Sequence, residues 1–179
     1  MGADDVVTGE LAWAFQLLAQ NQQVQDRLAE EIDSGEDDEY LTATVNETMR
    51  RRPVFLFVIP REVMQPTEIG DVIYRPPAHL AGCTYLMHHQ PELYPRPYQF
   101  RPERFLDEAP APRTWLPWGG GRKHCLGRHF AMQEIKAILR TVLAGTRVLP
   151  VTARVEAPRW RSAILVPGEG GRVRLRPRG

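Results

Sequence analysis

The sequence predicts a mainly helical fold with small β-sheets, an α+β arrangement. Three observations lead there. Four segments carry apolar residues at helical spacing. The run Val54 to Ile59 and two short segments near the C-terminus have strand character. The stretch 91–117 holds seven prolines and can be neither regular helix nor central strand.

Residues 10–19 are apolar nearly all round, through Leu11, Ala12, Trp13, Ala14, Phe15, Leu17 and Leu18. A helix of that kind belongs in an interior. It comes first here, with no upstream chain to cover it, which leads us to expect a truncated domain. From Gln22 to Ile32, Val24, Leu28 and Ile32 recur every four residues and predict a one-sided helix. The acidic run Asp33 to Glu39 predicts a solvated loop. A helix follows from Tyr40 to Arg51, with Leu41, Val45, Thr48 and Met49 on one side, and Pro53 stops it. Val54 to Ile59, β-branched and aromatic, predicts a buried strand. Residues 63–83 should form short strands and turns. Tyr85 to Gln90 predicts a short helix, with His88 and His89 as surface or boundary residues. The proline-rich stretch predicts ordered coil. Arg128 to Leu143 predicts a helix with a buried stripe of Ala131, Ile135, Ile138, Leu139, Val142 and Leu143. Ser162–Pro167 and Arg172–Arg176 flank Gly168 to Gly171 and predict a terminal hairpin. No internal repeat is present.

The 179 residues permit one domain with a real core. A hydrophobic content of 42% and a charged content of 25% are ordinary for a soluble protein. The net charge of +1 gives no reason to expect nucleic acid or an anionic membrane as a partner. No stretch approaches the ~18 apolar residues of a membrane span. The N-terminus lacks secretory character, with Asp4 and Asp5 in the way. Two cysteines, Cys83 and Cys125, are too few for a disulfide scaffold or a four-cysteine zinc site. A reducing cytoplasm is the expected location.

The chemistry concentrates around Cys125. The run Trp118-Gly119-Gly120-Gly121-Arg122-Lys123-His124-Cys125-Leu126-Gly127 leads directly into the Arg128 helix. Three adjacent glycines allow positive φ and close approach by a bulky partner. The helix start brings unpaired N–H groups near the sulfur, an environment that stabilises negative charge there. Such a sulfur suits a metal, and with a flat cofactor that metal is haem iron.

The loop resembles the haem-binding signature of cytochromes P450, F-x-x-G-x-R-x-C-x-G. Trp118 stands at the Phe position, Gly121, Cys125 and Gly127 match, and Lys123 stands at the Arg position. Glu47-Thr48-Met49-Arg50 resembles the family's E-x-x-R, and Phe100-Arg101-Pro102-Glu103-Arg104-Phe105 its F-x-P-E-R-F segment. Gly2 to Ala14 resembles the second half of the family's I helix. The segments occur in the family's order. The resemblance implies the C-terminal portion of the P450 fold as a single truncated domain over 1–179. It divides into the end of an I-like helix (1–19), a K-like helix (40–51), a meander (91–117), a haem loop (118–127), an L-like helix (128–145) and a C-terminal hairpin (160–176).

The resemblance further implies haem b, with Cys125 as axial ligand of the iron. It implies Trp118, Gly119, Gly121 and Gly127 beside the macrocycle, and Lys123 and Arg61 at its propionates. Glu47, Arg50 and Arg104 become a buried supporting network. Asp5 falls at the acid of the I helix and Val6 at the usual threonine, whose hydroxyl valine lacks. The implied activity is a haem-thiolate monooxygenase acting on an apolar small molecule. Its electrons come from a separate ferredoxin- or flavoprotein-type donor, since the chain has no flavin or iron–sulfur motif. Two alternatives stand beside it: a non-catalytic remnant with weak or no haem binding, and a thiol enzyme using Cys125 as nucleophile. Gly121-Arg122-Lys123 lacks the spacing of a phosphate-binding P-loop.

Overall fold

A computed structural model describes residues 3–35 and 37–178. Gly2 and Glu36, which the sequence reading used, lie outside the described residues. The chain forms α1 (Ala3–Gln20), α2 (Gln22–Ser34) and α3 (Glu39–Arg51), then four short strands, β1 (Arg61–Glu62), β2 (Thr67–Ile69), β3 (Val72–Tyr74) and β4 (His79–Leu80). Two short helices follow, α4 (Thr84–His88) and α5 (Arg104–Asp107), and then the long α6 (Arg128–Gly145). The chain closes with β5 (Thr146–Pro150), β6 (Pro158–Arg161), β7 (Ile164–Pro167) and β8 (Val173–Pro177).

The four long helices share one core. Leu17 and Leu18 of α1, Leu28 of α2, Leu41 and Met49 of α3, and Ile135, Leu139 and Leu143 of α6 are each at most 3% exposed. A buried side chain of this size contributes roughly 2 kcal/mol. Local chemistry sets the helix ends. Gly35 adopts φ 66° and its N–H returns to the Glu31 carbonyl, so α2 stops there. The Glu31 carboxylate accepts the N–H groups of Tyr40 and Leu41 at 2.5 and 2.8 Å, which satisfies orphan donors at the start of α3. A second, smaller cluster gathers Trp13, Val54, Ile164 and Val166, so α1 also covers the sheet side.

The strands form four antiparallel pairs: β1–β4, β2–β3, β5–β8 and β6–β7. This corrects the expected terminal hairpin. Its two segments are β7 and β8, and they belong to different sheets. Ile164–Pro167 turns back on Pro158–Arg161 through Ser162, whose φ is 56°, while β8 pairs with β5. β5 follows directly on Gly145, which ends α6, and nothing local marks it as the partner of β8.

Two further expectations are corrected. The segment 54–59 is not a buried strand. It makes a single bridge, Phe57 to Cys83, and Phe57 and Ile59 are 49% and 60% exposed. Pro60 offers no N–H to carry the ladder on. The acidic run is only partly solvated loop. Asp33 lies in α2 and pairs with Arg178, and Asp38 pairs with Lys136 at 2.5 Å.

Candidate functional site: a cysteine loop on a buried ion network

α3 presents Glu47 and Arg50 three residues apart on one face. Both side chains are fully buried, with Arg50 Nε 2.7 Å from Glu47 Oε2 and Nη2 donating to Oε1 at 2.9 Å. Arg104 of α5 adds a second ion pair to Glu47 at 3.0 Å. The remaining hydrogen-bonding capacity goes to the coil. Arg50 donates to the carbonyls of His88 and Pro97 at 2.7 and 2.8 Å, and Glu47 accepts the Arg101 N–H at 2.9 Å. One buried carboxylate and two guanidiniums thus tie α3, α4, α5 and the proline-rich coil together. Burial of charge is tolerated here because Glu47 and Arg50 spend their donors and acceptors on one another and on the coil, while Arg104 adds its charge and leaves Nε and Nη2 without a hydrogen bond among the described residues.

The coil leads into the Trp118–Gly127 loop. The Cys125 N–H donates to the Trp118 carbonyl at 2.9 Å, closing the loop at its base. Gly119 and Gly121 adopt φ 74° and 61°, values that other residues reach only with strain. Residues Gly121–Lys123 make one 3₁₀ turn, and the Ala131 N–H bonds to the Gly127 carbonyl at the start of α6. Cys125 is therefore held immediately before the first turn of an 18-residue helix. Its thiol is free and exposed. Leu126 beside it is fully exposed and Phe130, one turn into α6, is 75% exposed. Trp118 is half-buried against the main core. Arg61 of β1 reaches the loop, its Nη2 donating to the Gly120 carbonyl at 3.5 Å. Lys123 is exposed and makes no ion pair among the described residues.

Asp5 pairs with Arg161 of β6 at 3.6 Å. Val6 packs against the Trp13–Val54–Ile164–Val166 cluster. Glu10, one turn further along α1, is 5% exposed with Oε2 unpartnered. Burial pushes its carboxyl up to about 8, opposed only by a hydrogen bond from Val54. His88 and His89 are not the surface or boundary residues expected. They are 0% and 7% exposed. Burial, with help from Arg50, pushes His88 down to about 3, and burial pushes His89 down to about 4.

Among the described residues no group of three or more His, Cys, Asp or Glu could hold a metal ion by itself. A lone exposed sulfur suits a metal already held by another chelate, and the exposed apolar side chains of Leu126 and Phe130 beside it suit a flat apolar one. The residues present therefore fit haem.

Comparison with known proteins agrees. The cytochrome P450 family model matches residues 2–173, so the chain belongs to the cytochrome P450 family. It is 35% identical over 182 residues to a Mycobacterium tuberculosis protein assigned as cytochrome P450 135B1, covering 98% of this chain and 38% of that one. A second M. tuberculosis relative, assigned as cytochrome P450 137, is 38% identical over 168 residues, covering 93% of this chain and 35% of the relative. The crystal structure of CYP175A1 from Thermus thermophilus superimposes with a TM-score of 0.79 at 31% identity, covering 97% of this chain and 42% of that one. The chain thus spans well under half the length of the relatives it matches.

Sequence reasoning missed the buried His88, Glu10 and the amides Gln16 and Gln25. The signal was present for Glu10 and Gln16, polar residues at and within the apolar run of α1, whereas Gln25 lies among other polar residues of α2 and carries no local signal.

Proposed function

We propose that this chain carries the thiolate side of a haem monooxygenase site. The observation behind it is the exposed Cys125 sulfur, on a loop closed by the Cys125–Trp118 hydrogen bond and backed by the Glu47–Arg50–Arg104 network. Cys125 would hold the iron through its sulfur, and the N–H groups of the first turn of α6 would stabilise its charge. Trp118, Leu126 and Phe130 exclude water from one face, with Gly119, Gly121 and Gly127 permitting close approach. Arg61 and Lys123 hold the propionates, Lys123 as a point charge without the fork of an arginine. When bound, haem b supplies oxygen activation, with one atom of O₂ entering an apolar substrate and the other leaving as water.

Asp5 holds the acid position of α1, and its pairing with Arg161 keeps the carboxylate oriented. Val6 has no hydroxyl to pass a proton on, so proton delivery through this helix is weaker than in the family pattern. Electrons come from a separate ferredoxin- or flavoprotein-type donor. No helix among the described residues is long and apolar enough to cross a membrane, and both cysteines are free. These facts support a cytoplasmic setting.

A second reading has its own support. Phe57, Ile59, Met64, Leu126 and Phe130 are large apolar side chains left uncovered. The isolated 179-residue chain should therefore hold haem weakly and turn over poorly. The thiol-enzyme alternative loses ground, because no side-chain base bonds to the Cys125 sulfur among the described residues and His129 bonds instead to Arg128. The test is to add haemin, reduce, and expose to carbon monoxide. A red-shifted Soret band typical of thiolate ligation supports the proposal. A well-folded chain that takes up haem and shows only the unshifted band overturns it.

A further inference from the structure

Three side-chain hydrogen bonds fix the short segment Thr114–Leu116 just before the cysteine loop, two from His88 and Tyr94 and one made by its own Trp115. The Leu116 N–H donates to His88 Nε2 at 2.9 Å. The Tyr94 hydroxyl donates to the Thr114 carbonyl at 3.0 Å. Trp115 Nε1 donates to the Asn46 carbonyl of α3 at 3.3 Å. The His88 and Tyr94 rings meet edge to face, 6.1 Å apart, so the two grips brace each other. On its other side Leu116 belongs to the loop: its carbonyl accepts the Gly119 N–H at 3.0 Å. A side chain on Gly120 would come within 3.5 Å of Leu116 Cδ2.

His88 therefore bonds in two directions. Its carbonyl takes a hydrogen from Arg50, and its ring takes one from Leu116. The run Glu47–Arg50–His88–Leu116–Gly119 is continuous and buried along its first half. We propose that His88 is a positioning residue, transmitting the fixed geometry of the buried ion network to the loop that presents Cys125. The proposal rests on the reading of Cys125 as haem ligand.

The chemistry requires an acceptor at this point. To accept from Leu116, Nε2 must carry its lone pair, which places the proton on Nδ1. Burial and the neighbouring Arg50 keep the ring neutral, so the acceptor persists through the working pH range. A residue of similar bulk without an acceptor would orphan the Leu116 N–H.

The experiment compares wild type, His88→Gln, His88→Phe and Tyr94→Phe as the full 179-residue chain. Two quantities are read: amide hydrogen exchange at Leu116, Gly119 and Cys125 without haem, and the share of haem-bound chain giving the thiolate-type carbonyl band. His88→Phe should speed Leu116 exchange about tenfold, the effect of one lost hydrogen bond. Gly119 and Cys125 should follow, and the thiolate share should fall at least about twofold as the sulfur loses its register. His88→Gln, whose Oε1 can accept the same N–H, should restore both. Unchanged Leu116 exchange in His88→Phe overturns the proposal, as does a thiolate share that ignores His88 while exchange responds. If the wild type gives no thiolate band, the haem reading fails on its own. The exchange data then decide alone, and loss of protection confined to Leu116 overturns the proposal. If His88→Phe does not fold, Tyr94→Phe decides. It keeps the ring and should speed exchange at Cys125 about threefold, whereas no change there overturns the proposal.

Discussion

Gln16 and Glu156 hold each other in both directions: Gln16 Nε2 donates to Glu156 Oε1 at 2.9 Å, and the Glu156 N–H donates to Gln16 Oε1 at 2.9 Å. The Glu156 carboxylate also accepts the N–H groups of Glu169, Gly171 and Arg172 at 2.7, 3.2 and 3.2 Å. One side chain thus fastens α1 to the glycine turn between β7 and β8. Glu156→Gln replaces an acceptor-only group by one with two donors, facing backbone donors. We expect a loss of about 2–4 kcal/mol in denaturant unfolding. An unchanged midpoint would show that the turn stands without it.

The Glu47–Arg50–Arg104 network has a larger effect. Glu47→Gln leaves Arg50 and Arg104 buried without their counter-charge, at a cost of about 3–5 kcal/mol. Arg27→Ala, whose partner Glu103 is shared with solvent, should stay within about 1 kcal/mol. Urea titrations of both variants check the contrast, and equal effects would deny the network its supporting role.

Two buried groups give the stability a pH dependence of opposite sign. Glu10 titrates at about 8 in the folded chain and near 4.5 unfolded. Between these values the unfolded chain has released a proton that the fold retains. Its contribution is full below pH 4.5 and is lost as pH rises to 8, an effect on the order of 5 kcal/mol. His88 titrates at about 3 folded and 6.5 unfolded, so its contribution is full above pH 6.5 and is lost as pH falls toward 3. Glu10→Gln should flatten the decline from pH 5 to 8 (about the upper window of the Glu10 shift) while leaving the acid limb in place. A decline that survives in Glu10→Gln would assign it to another group.

Cys125 separates a ligand from a packing residue. Its side chain is exposed, so Cys125→Ser should change stability by no more than about 0.5 kcal/mol. It should also remove the thiolate-type carbonyl band. A structural cysteine would behave the other way round, costing stability and leaving the spectrum alone.

The helices were legible because their apolar spacing is nearly ideal. Leu28, Leu41, Ile135 and Leu139 follow the period and are all buried. The cysteine loop was legible through its glycines, two of which take the positive φ their presence suggests. Strand pairing was not. Thr146–Pro150 runs straight out of α6, and only long-range contact with Val173–Pro177 defines it as a strand. Val54 to Ile59 has the composition of a buried strand, yet Pro60 and the single Phe57–Cys83 bridge leave only Val54 in the core, with Phe57 and Ile59 exposed. His88 and His89 were misjudged because a histidine beside prolines signals nothing local. Their burial comes from coil residues such as Tyr94 and Tyr98, which meet them through the fold.

The central claim concerns one bond, and X-ray absorption at the iron edge reads it directly. For the haem-loaded chain we predict one sulfur scatterer in the iron's inner shell, absent in Cys125→Ala and retained in Cys83→Ala. An inner shell of nitrogen and oxygen alone in the wild type, or a sulfur that persists in Cys125→Ala, would contradict the account.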